Sequence, residues 1–148
     1  MSAPNPAAVP AATPGIIRPM VGRDTAFFWE GTAVGELRIQ RCHDCDALRF
    51  PPGPSCPRCH SFDQGHVVAA GTGTVFSYVV HRHPPVPGKE LPIVIALIDL
   101  DEGVRMVGEV ADAVPDGGGA EEIEIGMRLQ VDFRRIDDDL TLPTWRKA

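Results

Sequence analysis

The chain has 148 residues, of which 43% are hydrophobic and 23% are charged, a composition typical of a globular protein with one domain or two small ones. Its formal net charge of −6 disfavours nonspecific binding to nucleic acids and to anionic membranes. No apolar run reaches the roughly 20 residues of a membrane span. The N-terminus lacks the basic start and apolar core of a secretory signal, so we expect a protein of the reducing cytoplasm.

The first 35 residues divide into a tail and a helical segment. Residues 1–20 are expected to be disordered, because their Ala- and Pro-rich start has no apolar periodicity. Residues 21–35 are predicted to contain a short helix that Asp24 caps. Successive helical residues are about 100° apart, so three consecutive aromatic residues cannot share one face. Either a groove of the same chain buries them all, or some contact another protein. These residues are Phe27, Phe28 and Trp29.

All four cysteines lie in two C-x-x-C pairs that ten residues separate. Each pair places two thiolates on one tight turn, and two such turns that face each other form the tetrahedral four-sulfur cage of a structural zinc site. Prolines and a glycine between the pairs favour an irregular link. We therefore predict a zinc ribbon over residues 36–68 that holds one Zn²⁺. Its ligands are expected to be Cys42, Cys45, Cys56 and Cys59.

Three other uses of the cysteines compete with zinc binding. Disulfides are disfavoured because no secretory signal precedes them and the spacing within each pair is too short for an unstrained bridge. A thioredoxin-type redox site needs one C-x-x-C on a βαβ frame, which the pattern does not predict. Iron binds the same four-sulfur geometry as zinc, so a rubredoxin-like electron carrier stays an alternative. His43 and His60 are expected to be solvated, because four sulfurs complete the shell.

Residues 69–148 have the pattern of a β domain. A strand over 93–100 is apolar on both faces, which is typical of a central strand. Gly71 and Gly73 indicate a bulge near the first strand, whose Phe76, Tyr78 and Val80 alternate on one face. Five strands with a bulge in the first fit a small closed barrel of the OB type. The strands are predicted at 74–83, 93–100, 104–110, 127–136 and 140–145.

The fold class is therefore mainly β, with an N-terminal helical segment, a rubredoxin-like zinc ribbon and a five-stranded OB-fold barrel. OB barrels that bind nucleic acid usually present aromatic and basic residues on the second and third strands. Here those strands have no aromatic residue and only Arg105 is basic. Asp99 to Asp139 contains thirteen acidic and four basic residues. We expect no nucleic-acid binding, and a zinc-ribbon/OB nucleic-acid-binding protein is kept as an alternative.

No catalytic set of nucleophile, base and orienting residue is evident, and no serine lies in a nucleophile-elbow sequence. Four thiolates around zinc leave no open position for water. The residues alone therefore predict a binding or scaffolding protein. Six segments carry a family resemblance: FFWEGTAVGEL, RCHDCDALRFPPGPSCPRC, GTGTVFSYVVHR, LPIVIALIDLDEGVRMVGEV, IGMRLQVDF and LPTWR.

In this order, these segments resemble a family of zinc-ribbon/OB-fold proteins long catalogued as a domain of unknown function. The resemblance covers roughly residues 24–146. The family usually has Gly where this chain has Asp46, and Asp also tolerates a left-handed turn. It often ends in a Phe-containing motif where this chain has Trp145.

The resemblance implies an accessory subunit of a thiolase-superfamily enzyme: a thiolase, an acyltransferase or a lipid-transfer-protein-like aldolase. Some members bridge a thiolase to hydroxymethylglutaryl-CoA synthase and help form a shared acyl-CoA channel. Under this resemblance the partner holds the catalytic residues, and Phe27, Phe28 and Trp29 are expected to contact it. Arginines near the ribbon either bind CoA phosphates through bidentate contacts or are only surface charges that keep the ribbon hydrated. They are Arg38, Arg41, Arg49 and Arg58.

Overall fold

The computed structural model describes residues 15–113 and 123–148, which form a small antiparallel sheet and a closed five-stranded barrel. The sheet has the order β2-β1-β3 and the barrel the order β4-β5-β6-β8-β7. This architecture confirms the predicted mainly-β class with a ribbon and an OB-type barrel. The elements are α1 (Ala26–Ala33), β1 (Arg38–Cys42), β2 (Leu48–Arg49), β3 (Gln64–Val68), β4 (Thr72–His81), β5 (Ile93–Leu100), β6 (Arg105–Val110), β7 (Arg128–Arg135) and β8 (Thr141–Lys147).

Residues 1–14 and the glycine-rich stretch that follows Ala113 lie outside the described residues. In the part that is described, no helix is both long and apolar enough to cross a membrane. The predicted division of the chain into a zinc ribbon at residues 36–68 and an OB-fold domain at residues 69–148 stays a prediction. Buried residues of both parts, such as Ile39 of β1 and Ile98 of β5, belong to one continuous core.

Strand β5 has the predicted bounds and lies between β4 and β6. Its side chains alternate strictly between buried and half-buried, with Val94, Ala96 and Ile98 at most 1% exposed. The alternation follows from the two-residue period of a strand, in which one side faces the barrel interior. The other side of β5 faces away from the barrel interior and is apolar as well. Burial in the interior does not explain why this outer side is apolar.

The bulge in β4 lies further along the strand than the glycines predict. Val75 is opposite Ile98 and Ser77 is opposite Leu97, so Phe76 is the extra residue. An inserted residue reverses the alternation of faces beyond it. Tyr78 is accordingly opposite the buried Ala96, whereas Phe76 stacks on the guanidinium of Arg105 on the outside, 3.5 Å from Cζ to the ring centroid.

The prediction that Phe76, Tyr78 and Val80 share a face is therefore wrong, because it assumed unbroken alternation. The glycines of this region have another role. A Cβ on Gly73 would lie 2.7 Å from the carbonyl oxygen of Asp99, so a side chain there would clash with the neighbouring strand.

Helix α1 packs between the ribbon and the barrel, against β1 on one side and β7 and β8 on the other. The predicted cap at Asp24 is wrong. Thr25 is the N-cap residue and makes no side-chain cap hydrogen bond to the helix; its Oγ1 instead accepts the N–H of Gly22 at 3.0 Å. The helix is therefore held by packing on both sides rather than by its cap.

Barrel closure depends on a tryptophan placed against a glycine. β6 and β8 are paired only at Val110 and Trp145, and the N–H of Ala111 donates to the Trp145 carbonyl at 2.8 Å. The Trp145 ring is fully buried, and a Cβ on Gly108 would lie 2.3 Å from its Cδ1 and Nε1. The large indole fits at this position because Gly108 has no side chain.

We expect Gly108→Ala to lower the free energy of unfolding by about 1–3 kcal/mol, because overpacking of a rigid ring forces strain on the closed barrel. Chemical denaturation monitored by tryptophan fluorescence measures the change. Gly22→Ala is the matched control, since nothing lies within 4 Å of a Cβ built there. Equal stability of the two variants would contradict the packing of Trp145 described above.

Part of the predicted disordered tail lies against the barrel. A Cβ on Gly88 would meet the backbone N of Ile16 at 2.8 Å, so the two chain segments are in close contact. Arg18 donates through both of its terminal nitrogens to the carboxylate of Asp137. This ion pair, together with the N–H of Asp139, lowers the pKa of Asp137 to about 2.

Because the folded pKa of Asp137 is below its unfolded value of about 3.9, the ion pair contributes stability above pH 4 that is lost as the pH falls toward 2. We expect Arg18→Gln to melt at a lower temperature than the parent at pH 7, and the difference to disappear between pH 4 and 2. Thermal melts across this range measure it. Arg23→Gln, at an exposed arginine, is the control. A pH-independent difference would show that Asp137 is not the partner of Arg18.

Candidate metal centre

The four cysteine sulfurs converge on one point. All four Sγ atoms lie within 4.8 Å of one another, with Cys42 and Cys59 at 3.5 Å and Cys45 and Cys56 at 3.6 Å. A tetrahedral zinc ion with Zn–S bonds of about 2.3 Å requires sulfurs about 3.8 Å apart. The four side chains therefore fit one tetrahedral ion, as the spacing in the sequence predicted.

The two turns that present the sulfurs are equivalent residue by residue. In the first, the N–H of Asp46 donates to the carbonyl of Cys42 at 3.0 Å; in the second, the N–H of His60 donates to the carbonyl of Cys56 at 2.8 Å. Asp46 and His60 both have left-handed backbones, with φ of 61° and 65°. The left-handed turn allowed for Asp46 is confirmed. The left-handed turn at His60 was not predicted, although His60 follows the second pair of cysteines as Asp46 follows the first.

Backbone N–H groups surround the sulfurs. The N–H of Cys45 lowers the pKa of Cys42, and the N–H of Cys59 lowers that of Cys56 to about 6. The N–H two residues further on donates in the same way to Cys45 and to Cys59. The neighbouring thiols and burial outweigh that bond and raise both pKa values, to about 12 for Cys59. A bound cation deprotonates coordinating thiols outright, so N–H donors and ion together favour four thiolates.

A buried glutamine fixes the irregular link between the turns. Gln40 of β1 is 1% exposed. Its Nε2 donates to the carbonyl of Gly53 at 3.0 Å, and its Oε1 accepts the N–H of Gly53 at 2.9 Å and Nε of Arg49 at 2.7 Å. This role of Gln40 was not predicted from the sequence. No local signal identifies it, because its partners are nine and thirteen residues away.

The four predicted arginines differ in what holds them. Arg49 is bound within the ribbon by Gln40, Gly53 and Gln64. Arg38 donates from Nε to Glu36 at 2.7 Å, and its side chain packs where a Cβ on Gly31 would lie. These two guanidinium groups are engaged inside the chain.

The other two arginines reach the surface. The Arg41 side chain is 42% exposed, with Nε 3.8 Å from a carboxylate oxygen of Asp46. Arg58 is exposed and lines a shallow cavity of about 380 Å³ near the metal centre, together with Ala47, Leu48, Arg49 and Pro57. His43, expected to be solvated, is exposed and bonded to Asp63 at 2.8 Å. His60 is exposed as well.

The aromatic residues of α1 lie mostly in the groove between ribbon and barrel. Phe28 is 5% exposed and packs edge-on against Trp29, with ring centroids 5.0 Å apart. Its other ring neighbour is Phe50, at 5.8 Å. Phe28 therefore cannot contact a partner, which corrects that expectation for this residue. Phe27 stacks on His66 at 5.5 Å, and both Phe27 and Trp29 are only partly buried. A contact with a partner stays a prediction for these two.

Two family models match the chain. The model described as the ChsH2 rubredoxin-like zinc ribbon domain matches residues 29–63, and the ChsH2 C-terminal OB-fold domain matches residues 66–134. A DUF35 domain-containing scaffold protein of Methanocaldococcus jannaschii is 38% identical over 103 residues, which are 67% of this chain and 68% of that protein. The chain belongs to the DUF35 family. Its four cysteines form the metal site of a rubredoxin-like zinc ribbon.

This DUF35 protein is also similar to a chain of the solved structure described as the Ltp2-ChsH2(DUF35) aldolase. The two are 48% identical with a TM-score of 0.78, over 88% of this chain and 98% of that one. A probable enoyl-CoA hydratase alpha subunit of Thermomonospora curvata is 49% identical over 131 residues, which are 88% of this chain but 40% of that protein. The chain thus spans less than half the length of this relative.

Removing the metal with a chelator is expected to increase amide hydrogen exchange across residues 40–64, while β5 and β6 keep their protection. The turns around the cysteines have little apolar surface to hold them, whereas the barrel is closed by its own strand pairs. Exchange measured by mass spectrometry before and after chelation checks this, and added Zn²⁺ should restore the original pattern. Unchanged exchange at the two turns would contradict the role of the metal.

Proposed function

We propose that this DUF35 protein is a non-catalytic accessory subunit of a thiolase-superfamily complex, in which it stabilises the partner enzyme and helps form the acyl-CoA binding site. The main support for this proposal is that the chain is similar to a chain of the Ltp2-ChsH2(DUF35) aldolase over nearly the whole length of that chain. The name of that structure joins two polypeptides, which supports a hetero-oligomer. The thiolase-superfamily partner comes from the family resemblance of the sequence.

The metal site supports a structural rather than a catalytic role for the ribbon. Four sulfurs complete a tetrahedral shell, and such a shell leaves no position for substrate or water. The relative from M. jannaschii is named a scaffold protein, which agrees with this role. The hydratase name belongs to a protein of which this chain spans 40%, so a hydratase reaction is not assigned to this chain.

The surface arginines are the proposed contacts with CoA. Arg58 is exposed, and Arg41 is 42% exposed with only a 3.8 Å ion pair to Asp46, whereas Arg38 and Arg49 are held by hydrogen bonds to other residues. A guanidinium group binds phosphate oxygens in a bidentate manner, so either residue suits the phosphates of CoA. Phe27 and Trp29, which are partly buried beside the ribbon, are proposed to contact the partner.

Co-expression with a thiolase-like protein encoded by an adjacent gene tests the proposal. We expect one gel-filtration peak that contains both chains, and acyl-CoA turnover by the complex but not by this chain alone. Separate elution together with full activity of the partner alone would contradict it. Metal analysis tests the electron-carrier alternative, for which bound iron and a red colour are expected instead of colourless zinc.

In that complex, Arg58→Gln is expected to raise KM for acyl-CoA about tenfold, because a hydrogen bond to a charged group contributes about 1.5–3 kcal/mol. The KM for the matching acyl-pantetheine, which lacks the nucleotide phosphates, should stay unchanged. Arg23→Gln is the control for a general loss of positive charge. Equal effects on both substrates would show that Arg58 does not contact the phosphates.

A further inference from the structure

The outer side of β5 is apolar without a cover. A strand with apolar residues on both faces is typically buried on both. Ile95 and Leu97 lie on the side of β5 opposite to the buried Val94 and Ala96, and they are half-buried. Helix α1 packs against β1, β7 and β8, and among the described residues no helix or second sheet packs over this side of β5.

Neighbouring strands extend this apolar surface. Val79 of β4 is opposite Ile95, and Val107 of β6 is opposite Leu97. Val79 is 60% exposed and Val107 is 54% exposed. Phe76, the bulge residue, is 48% exposed beside them. We name these residues the outer patch: Phe76, Val79, Ile95, Leu97 and Val107.

The edge of β4 beside the outer patch is open. β7 pairs with β4 only along Thr72–Thr74, and the last backbone bonds across that edge join Val75 to Gly126 and Met127. No described residue pairs with this edge from Phe76 to His81. Unpaired N–H and C=O groups on a strand edge bind an extended segment of another chain, which adds one strand to the sheet.

The charges around the outer patch are paired within the chain. At one end Arg105 donates to Asp99 from Nε at 2.7 Å, and its guanidinium also stacks on Phe76. At the other end Lys89 is paired with Glu109. The patch therefore presents no unpaired charge, and an uncharged apolar segment complements it best.

Other occupants suit the patch less well. A second copy has the same formal charge of −6, so association of two copies is opposed by repulsion. The sequence of residues 1–14 offers only Met1 and Val9 as large apolar side chains. The segment from Val114 to Glu122 has one apolar side chain larger than alanine or proline and is acidic.

The size of the patch fits the centre of an interface with another protein. Six residues along a strand and three neighbouring strands span roughly 20 Å by 10 Å. A stable interface usually buries about 800 Å² on each partner. The outer patch is thus large enough for the apolar centre of an interface whose rim is formed by surrounding polar residues.

We propose that the outer patch and the open edge of β4 bind an extended, uncharged apolar segment of the partner enzyme, which pairs with Phe76–His81 as an added strand. This proposal rests on the accessory-subunit function above. It adds a surface of the barrel to the contact with the partner that is proposed above for Phe27 and Trp29.

Titration of the partner with single-site variants tests the proposal. Val79→Lys and Val107→Lys should each weaken the complex at least tenfold by isothermal titration calorimetry, with unchanged circular dichroism and melting of the isolated chain. Val21→Lys, at a residue 61% exposed that the proposed contacts do not include, is the matched control and should bind like the parent. Complex formation should also slow amide exchange at Phe76–His81.

Parent-like binding by both patch variants, or unchanged exchange at Phe76–His81, would overturn this proposal and leave the accessory function intact. Failure of the parent chain to bind the partner would overturn the accessory function and this proposal together. Dimers of the isolated chain that Val79→Lys dissociates would overturn it in favour of a second copy. Faster exchange at Phe76–His81 after deletion of residues 1–14 would overturn it in favour of the chain's own N-terminus.

Discussion

The coordination of one ion by four sulfurs is the constraint on which the ribbon depends. From Cys42 to Cys59 the chain is largely irregular, and the only buried residues of this stretch are two of the ligands, Cys42 and Cys56. So little apolar surface cannot offset the entropy of ordering these turns. Metal coordination takes the place of a core, whereas the barrel is held by its closed ring of strands and its own apolar interior.

Ribbon and barrel are joined by the helix that precedes them both. Phe28 of α1 and Leu37 and Ile39 of the ribbon are buried in the same core as the barrel strands. Metal coordination in the ribbon and barrel closure at Trp145 therefore both stabilise the core that the two parts share. A unit built in this way presents surfaces in fixed relative positions, which is what an accessory subunit requires.

Much of the fold was predictable because its signals are local. Cysteine spacing indicates the metal site, and a run of residues that is apolar on both faces indicates β5 and its bounds. Other features depend on distant neighbours. The bulge at Phe76 inverts the faces of β4, and Gln40 is buried because it binds the backbone of Gly53, so neither was predicted. For the same reason, pattern alone did not separate the engaged arginines from the exposed ones.

X-ray absorption at the zinc edge of the purified chain tests the central claim most directly. The four-sulfur site predicts one zinc ion with four sulfur neighbours at about 2.3 Å and no nitrogen or oxygen in the shell. A shell that contains a histidine nitrogen or a water oxygen, or a chain that is folded without any bound metal, would contradict the account.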